Sequence, residues 1–294
     1  MTMRNFAVCA LLGAAVACAS SRGSTPPAGT PPDSPLARPP DAPPPAGSRP
    51  VRFGPSALRY LIRRQISATQ TFQGQTSMSQ LGFRLFVHAT VRGPADSVGY
   101  PATLTVDSIV ADSGVMLPVT INLTAARGLS YTGVLSPSGE LKNSTPSDTT
   151  VARGLSQVLA NFRDFYPGIP AAGATLNASW TDTTSRTDRA GIFDLTVTTI
   201  ATSRAAAIEE MAGAHALRLE VSAVLAITGA GNQGGQTLNL AGRGARHAVE
   251  YVAVDGRFLG GQSLDSTDLE IAVPAQGQVV SIKQIAKSIV QVLP

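Results

Sequence analysis

The sequence predicts a mainly β protein, organised as an antiparallel sheet with one mid-chain amphipathic helix at about 147–166. From residue 51 onward, apolar and polar residues alternate with a period of two in most segments. This alternation places the apolar side chains on one face of a strand. Turn-forming residues separate the segments, and Ser136-Pro137-Ser138-Gly139 has the Pro and Gly positions of a type I turn. Strands that are polar on one face are typical of antiparallel sheets with one covered side.

The strand predictions rest on seven alternating runs and on the C-terminal tail. The runs are Leu58/Tyr60/Ile62, Leu81/Phe83/Leu85/Val87/Ala89/Val91, Leu104/Val106 with Val110, Val119/Ile121/Leu123, Phe193/Leu195/Val197, Leu217/Leu219/Val221/Ala223/Leu225/Ile227 and Leu269/Ile271/Val273. The tail from Val279 to Leu293 also fits a helix, through Ile282, Ile285 and Ile289. Its density of β-branched residues favours a strand.

The helix prediction rests on a segment with three-and-four spacing, which gives an apolar stripe on one helical face. The stripe consists of Val151, Leu155, Val158, Leu159, Phe162, Phe165 and Tyr166. Either Ser147 or Asp148 can cap the start of the helix, and Pro167-Gly168 can end it.

The N-terminus has the pattern of an export signal. Arg4 precedes an uninterrupted apolar stretch of twelve residues from Phe6 to Ala17. This length fits the apolar region of a signal peptide and is too short to span a bilayer. Ala15-Val16-Ala17 is a site for the ordinary signal peptidase, so the sequence predicts a signal peptide over residues 1–17.

Ala15-Val16-Ala17-Cys18 also resembles the lipobox of bacterial lipoproteins, with Ala15 where that motif usually has Leu. The resemblance implies that Cys18 is the lipid attachment site and becomes the first residue. Its acyl chains would anchor the protein, since stable anchoring takes more than one chain. Ala19 implies the outer membrane, facing the periplasm, as the location. The alternative is plain cleavage, which yields a secreted or periplasmic soluble protein.

Residues 18–50 are predicted to form a lipid-anchored, Pro-rich, disordered tether. Eleven of the 21 prolines lie between residues 22 and 50. Proline fixes φ and lacks an N–H donor, so helix and sheet cannot propagate, and an extended polyproline conformation is expected. Residues 51–294 are predicted to form a single β-rich domain.

Composition and motifs give no sign of a catalytic, cofactor or metal site. Both cysteines, Cys9 and Cys18, precede the body, which excludes thiol catalysis and cysteine zinc sites there. The three histidines lack metal-ligand spacing. The net charge of +4 comes from scattered residues without a basic patch beside aromatics, so no nucleic-acid partner is expected.

Two other features have structural interpretations. The stretch from Gly229 to Gly234 matches the glycine pattern of dinucleotide sites, with Asp255 further on. A helix should follow such glycines, and here Gln236 to Leu240 alternates like a strand, so a hairpin loop is favoured. The only tryptophan, Trp180, is expected to fill core space, with a role in lining a cavity as the alternative.

A long antiparallel sheet with a mid-chain helix behind a lipid anchor resembles the half-barrel lipoprotein carriers of the LolA and LppX/LprG type. The resemblance is architectural, covers about residues 51 to 294, and transfers no binding residue. It implies a curved sheet or half-barrel around an apolar cavity. The expected function is an exported, lipid-anchored, non-catalytic envelope protein that binds an apolar small molecule or lipid. The alternatives are a structural or assembly lipoprotein that acts through its surface and, behind it, an envelope hydrolase.

Overall fold

The computed structural model describes residues 49–93, 98–112, 122–155, 162, 165–190 and 192–294. The predicted signal peptide, the lipid attachment site Cys18 and all of the predicted tether except its last two residues lie outside this range. Within the described residues, no helix is long and apolar enough to cross a membrane.

The described chain is mainly strand, which confirms the predicted fold class. The strands are β1 (Ser56–Phe72), β2 (Gln75–Val91), β3 (Tyr100–Ala111), β4 (Ser130–Leu135), β5 (Leu141–Pro146), β6 (Ser179–Ala190), β7 (Phe193–Met211), β8 (Ala214–Gln233), β9 (Gln236–Ala253), β10 (Phe258–Val273) and β11 (Gln278–Leu293). One short α-helix, α1 (Thr149–Gly154), and 3-10 turns at Leu123–Ala126 and Pro274–Gln276 complete the described elements.

All eleven strands form one antiparallel sheet in the order β5-β4-β3-β2-β1-β11-β10-β9-β8-β7-β6. The first and last strands pair with each other at its centre, for example Arg64 opposite Ser288. The sheet is therefore two meanders joined at β1 and β11, and it is not closed, because β5 and β6 are its two ends. The prediction of a strand in the C-terminal tail is confirmed by β11.

Tight two-residue turns set the register of the long hairpins. Gln73-Gly74, Ala212-Gly213 and Gly234-Gly235 all have positive φ at both positions, as type I′ turns require. The glycine pattern at 229–234 thus ends β8 and turns into β9, with no helix after it. The hairpin interpretation of this motif is confirmed.

The sheet is curved, as the segment that joins its two edges demonstrates. Within this crossing segment (165–178), Ile169 donates its N–H to Ser138 between β4 and β5, and Asn177 donates to Ala205 of β7. Eight residues span at most about 28 Å. In a flat sheet the eight spacings from β4 to β7 would measure about 38 Å. The two ends of the sheet must therefore curl toward each other.

The predicted helix begins as expected and is shorter than predicted. Asp148, not Ser147, caps it, because its Oδ1 accepts the N–H groups of Thr150 and Val151 at 2.8 and 2.9 Å. Phe165 and Tyr166 are not helical. Both pack their rings into the aromatic core, 5.0 Å apart, so tertiary contacts and Pro167 override the three-and-four pattern. Residues 156–161, 163 and 164 lie outside the described range.

One further prediction is wrong. Leu123 was predicted to end a strand with Val119 and Ile121, but it starts a 3-10 turn capped by the side chain of Asn122. Val119 and Ile121 are outside the described residues.

Two adjacent carboxylates, Glu209 and Glu210, lie near the end of β7. Glu209 pairs there with Arg218 of β8 at 3.3 Å, which offsets its charge on the strand.

Candidate functional site

One face of the curved sheet, here called the inner face, carries most of the buried side chains. Near the crossing segment these form the first apolar layer, whose large members are Tyr60, Phe83, Leu104, Val106, Leu135, Leu217, Leu219 and Phe258. At the opposite ends of the strands they form the second apolar layer, made of Phe193, Leu195, Val197, Leu225, Ile227, Leu238, Leu240, Leu269, Ile271, Val273, Val280 and Ile282.

Aromatic residues of the crossing segment fill the space over the first apolar layer. Phe165 makes edge-on contacts with Tyr60 and Phe258, with ring centres 5.0 and 5.4 Å apart. The hydroxyl of Tyr60 donates to the carbonyl of Phe258 at 2.8 Å. Burial raises the pKa of Tyr60 well above its ordinary value, so the hydroxyl stays a neutral donor. The first layer is thus a packed core.

A polar belt separates the two apolar layers on the inner face. Five of its side chains are buried, namely Thr184, Thr199, Ser203, Thr267 and Gln284. Thr184 lies directly opposite Thr199 on the neighbouring strand, and Thr267 lies directly opposite Gln284. Polar groups are rarely buried without a function or partners. The belt is therefore the candidate functional region of the inner face.

The inner charge cluster consists of four charged residues of this belt: Arg64 on β1, Arg246 and Glu250 on β9, and Asp265 on β10. Arg246 contacts Glu250 at 3.3 Å and Asp265 at 3.9 Å. Ser263 donates its hydroxyl to the second carboxylate oxygen of Asp265 at 3.4 Å. Arg246 is therefore placed between the two carboxylates.

Small residues on the strand between β1 and β10 let the cluster assemble. Arg64 lies opposite Ser288 of β11, and Asp265 lies opposite Ala286. Both β11 side chains are short, so the long Arg64 side chain can extend toward β10. Gly261 lies opposite Glu250 and leaves that side chain space of its own.

The electrostatics of the cluster are those of a poorly hydrated site. Burial raises the pKa of Glu250, and the charge of Asp265 raises it further, while Arg246 opposes both through its charge and its hydrogen bond. Burial also lowers the pKa of Arg64, where Asp265 favours the charged form and Arg246 disfavours it. Two cations and at most two anions therefore share a low-dielectric site.

The cluster is nonetheless reached by solvent. Between 15 and 20% of the side-chain surface of Arg246, Glu250 and Asp265 is accessible. The cluster therefore lies in a recess of the inner face that water reaches. Two atoms in it, Arg64 Nε and Asp265 Oδ1, are buried and have no hydrogen-bond partner. Unpaired buried polar atoms are costly, so they mark the positions where a ligand or water would bind.

Sequence reasoning singled out none of these four residues, although a signal for them exists. Arg64 continues the period-two run of Leu58, Tyr60 and Ile62 onto the same face. Asp265 likewise lies four residues before Leu269 on β10, which places both side chains on the same face of the strand. A charge in the apolar phase of an alternating strand predicts a charge on the covered face.

Other residues considered in the sequence are placed elsewhere. His88 is exposed and contacts Thr90 at 3.3 Å. Trp180 is half-buried on β6 and packs against the first apolar layer. Asp255 lies in the turn after β9 and pairs with Arg257 at 2.8 Å. Across the described residues, no group of three or more His, Cys, Asp or Glu side chains could hold a metal ion.

Comparisons with known proteins give no family. No family model and no curated protein sequence matches the chain. Among solved structures, Pseudomonas aeruginosa OccK2 (OpdF) aligns with 81% of this chain and 98% of its own, at 8% identity and a TM-score of 0.28. Pseudomonas aeruginosa OccK8 (OprE) aligns with 83% and 100%, at 9% identity and a TM-score of 0.22. TM-scores this low assign neither fold nor function.

Proposed function

We propose that this protein is a non-catalytic envelope protein that binds an apolar or amphiphilic molecule, such as a lipid, against the inner face of its curved sheet. The observation that carries the proposal is the solvent-reached polar belt between two apolar layers. A surface that is apolar at its ends and polar in a recess matches a molecule with an apolar tail and a polar group.

The second apolar layer is the expected site for the apolar part of the ligand. In the described chain, the partly buried apolar side chain packed against this layer is Phe72 alone. The first layer, in contrast, is already filled by aromatic residues from the crossing segment. The side chains of the second layer are themselves buried, each 8% exposed or less, so a ligand tail would bind there by displacing contacts among them.

Quenching of Trp180 tests this function, because Trp180 is the only tryptophan and packs at the edge of the polar belt. The full-length protein, purified from the envelope and freed of detergent, is titrated with brominated palmitic acid. We expect saturable quenching with a one-to-one stoichiometry, and native mass spectrometry should detect the same complex. Unbrominated palmitic acid is the matched control for indirect effects on fluorescence.

An unliganded mass throughout the titration, with no saturable quenching, would contradict the proposal. The protein would then act through its surface, as a structural or assembly component of the envelope. The outer face does carry exposed apolar side chains, including Val224 and Ile285, which are 58 and 49% exposed. Ile285 has a serine opposite it on each neighbouring strand, whereas Val224 lies opposite the exposed Ile200.

The location of the protein is also a proposal, namely lipid attachment at Cys18 and anchoring in the outer membrane on the periplasmic side. The support comes from the sequence alone, since the signal and the Pro-rich tether precede the described residues. Cells fed an alkyne fatty acid should label the wild-type protein, and Cys18→Ala should abolish the label. Cys9→Ala is the matched control, since Cys9 lies inside the predicted signal. Equal labelling of Cys18→Ala and the wild type would refute the anchor.

A further inference from the structure

Three basic side chains lie close together on the outer face, which is the side of the sheet opposite the inner face. Arg63 on β1 lies directly opposite Arg84 on β2. On its other side Arg63 lies opposite Ile289 of β11, two residues from Lys287, so Arg63 and Lys287 are diagonal neighbours. Diagonal neighbours in a sheet are about 7–8 Å apart, and all three basic side chains are exposed. Three positive charges from three adjacent strands therefore share one small area.

Carboxylates compensate little of this positive charge. Arg84 contacts Asp112 at 3.5 Å, in a pair whose side chains are 48 and 35% accessible. Exposed pairs of this kind are weak. Within the described strands, the register gives no acidic neighbour, direct or diagonal, to Arg63 or Lys287. Like charges that lie opposite each other destabilise a sheet, so an anionic partner would relieve an unfavourable arrangement.

Exposed apolar side chains border these cations. Along β11, Lys287 lies between Ile285 and Ile289, which are 49 and 40% exposed. Leu264 lies opposite Lys287 on β10 and is 43% exposed. Together with the three cations, these apolar residues form the outer basic patch. The combination fits a lipid–water interface, where apolar side chains enter among acyl chains while Lys and Arg contact anionic headgroups.

The curvature of the sheet favours a flat partner for this patch. Phe165 of the crossing segment packs on Tyr60 at the inner face, so the sheet curls toward that face and the outer face is convex. The strands β1 and β11 are the fifth and sixth of the eleven in the sheet, which places the patch at the centre of the convex surface. A convex surface encloses no small molecule, and its centre is the part that touches a flat surface first.

We propose that the outer basic patch binds the surface of a bilayer that contains anionic phospholipids. This inference goes beyond the proposed function, because it concerns the opposite face of the sheet and needs no ligand on the inner face. With the proposed anchor at Cys18, the tether of residues 18–50 reaches at most about 100 Å. The body then stays close to the bilayer, and a weak interaction orients it with the outer face toward the lipid.

Vesicle flotation tests this docking. The full-length chain carries Cys18→Ala, which removes the proposed attachment site, so that acyl chains do not hold the protein on every vesicle. We expect at least tenfold tighter binding to vesicles of phosphatidylcholine and phosphatidylglycerol in equal parts than to vesicles of phosphatidylcholine alone. The preference should shrink as salt is added, because mobile ions screen exposed charges.

Arg63→Gln and Lys287→Gln should each weaken binding to the anionic vesicles about fivefold, the contribution of one cation near an anionic lipid surface. Arg204→Gln is the matched control, because it removes the same charge from an exposed site on β7, where Arg204 lies opposite Glu220. It should change binding less than twofold. Ile289→Ser should weaken binding to both kinds of vesicle, since it removes apolar contact. Circular dichroism verifies that each variant is folded.

Equal binding to both kinds of vesicle, or to neither, overturns the proposal. Equal losses for Arg63→Gln and Arg204→Gln also overturn it, because net charge and not the patch would then drive binding. Binding to immobilised polyglutamate without binding to the vesicles, abolished by Arg63→Gln, would assign the patch to an acidic protein partner instead. None of these results bears on quenching of Trp180 by brominated palmitic acid, so the proposed function is tested separately.

Discussion

Replacing Gly260 by alanine is expected to lower the free energy of unfolding by about 2–5 kcal/mol, from backbone strain and steric overlap together. Gly260 has φ of 95° at the bulge where β10 begins to pair with β9. An added Cβ would overlap the carbonyl oxygen of Val290 on β11. The atom it meets is backbone, so relief requires the two strands to separate at the centre of the sheet.

Gly213→Ala is the matched control for this prediction. Gly213 also has a positive φ, 73°, but nothing lies within 4 Å of its added Cβ. It should lose only the conformational part, about 1–2 kcal/mol. Urea denaturation of both variants, followed by circular dichroism, measures the difference. If both variants lose the same free energy of unfolding, β10 and β11 can shift to accommodate the added methyl group without a steric cost.

Asp265→Asn is expected to destabilise the protein by about 2–4 kcal/mol, since it leaves buried cations uncompensated. The exchange preserves the size of the side chain and removes the carboxylate that Arg64 and Arg246 share. We place the effect slightly below that of a fully buried pair because 20% of the Asp265 side chain is accessible. The loss should shrink when chloride or sulfate is added, because an anion can replace the missing charge.

The control for this prediction is Asp107→Asn. Asp107 pairs with Arg59 at 3.6 Å on the exposed side of β1 and β3, where the two side chains are 36 and 56% accessible. Exposed pairs of this kind contribute about 0–1 kcal/mol. If Asp265→Asn lowers the free energy of unfolding no more than Asp107→Asn does, the inner charge cluster is as well hydrated as the protein surface. The description of the cluster as a low-dielectric site would then be wrong.

Local sequence patterns predicted the elements that local physics determines. Period-two alternation located β1, β2, β3, β7, β8 and β10, because side-chain direction alternates with every residue of a strand. The density of β-branched residues favoured β11. Gly234-Gly235 fixed a hairpin, since two adjacent residues with positive φ favour glycine. Asp148 capped a helix through its own carboxylate, two residues from the N–H group it accepts.

Long-range pairing determined what these patterns left open. Nothing within β1 specifies that its partner is β11, more than 200 residues away, or that Arg64 therefore faces Ser288. The helical stripe predicted as far as Tyr166 failed at its end for the same reason. Phe165 and Tyr166 gain more by packing on Tyr60 and Phe53, at ring distances of 5.0 and 5.4 Å, than by extending a helix.

The sequence by itself determined a mainly β protein with a covered and an uncovered face on its strands, and it predicts an export signal that precedes them. The tertiary structure alone decided that Arg64, Arg246, Glu250 and Asp265, from three strands, meet in one recess between two apolar layers. The physical reason is that alternation sets the face of a side chain locally. Which residues become neighbours on that face depends on the register between strands that are far apart in the chain. That register is set when β1 pairs with β11.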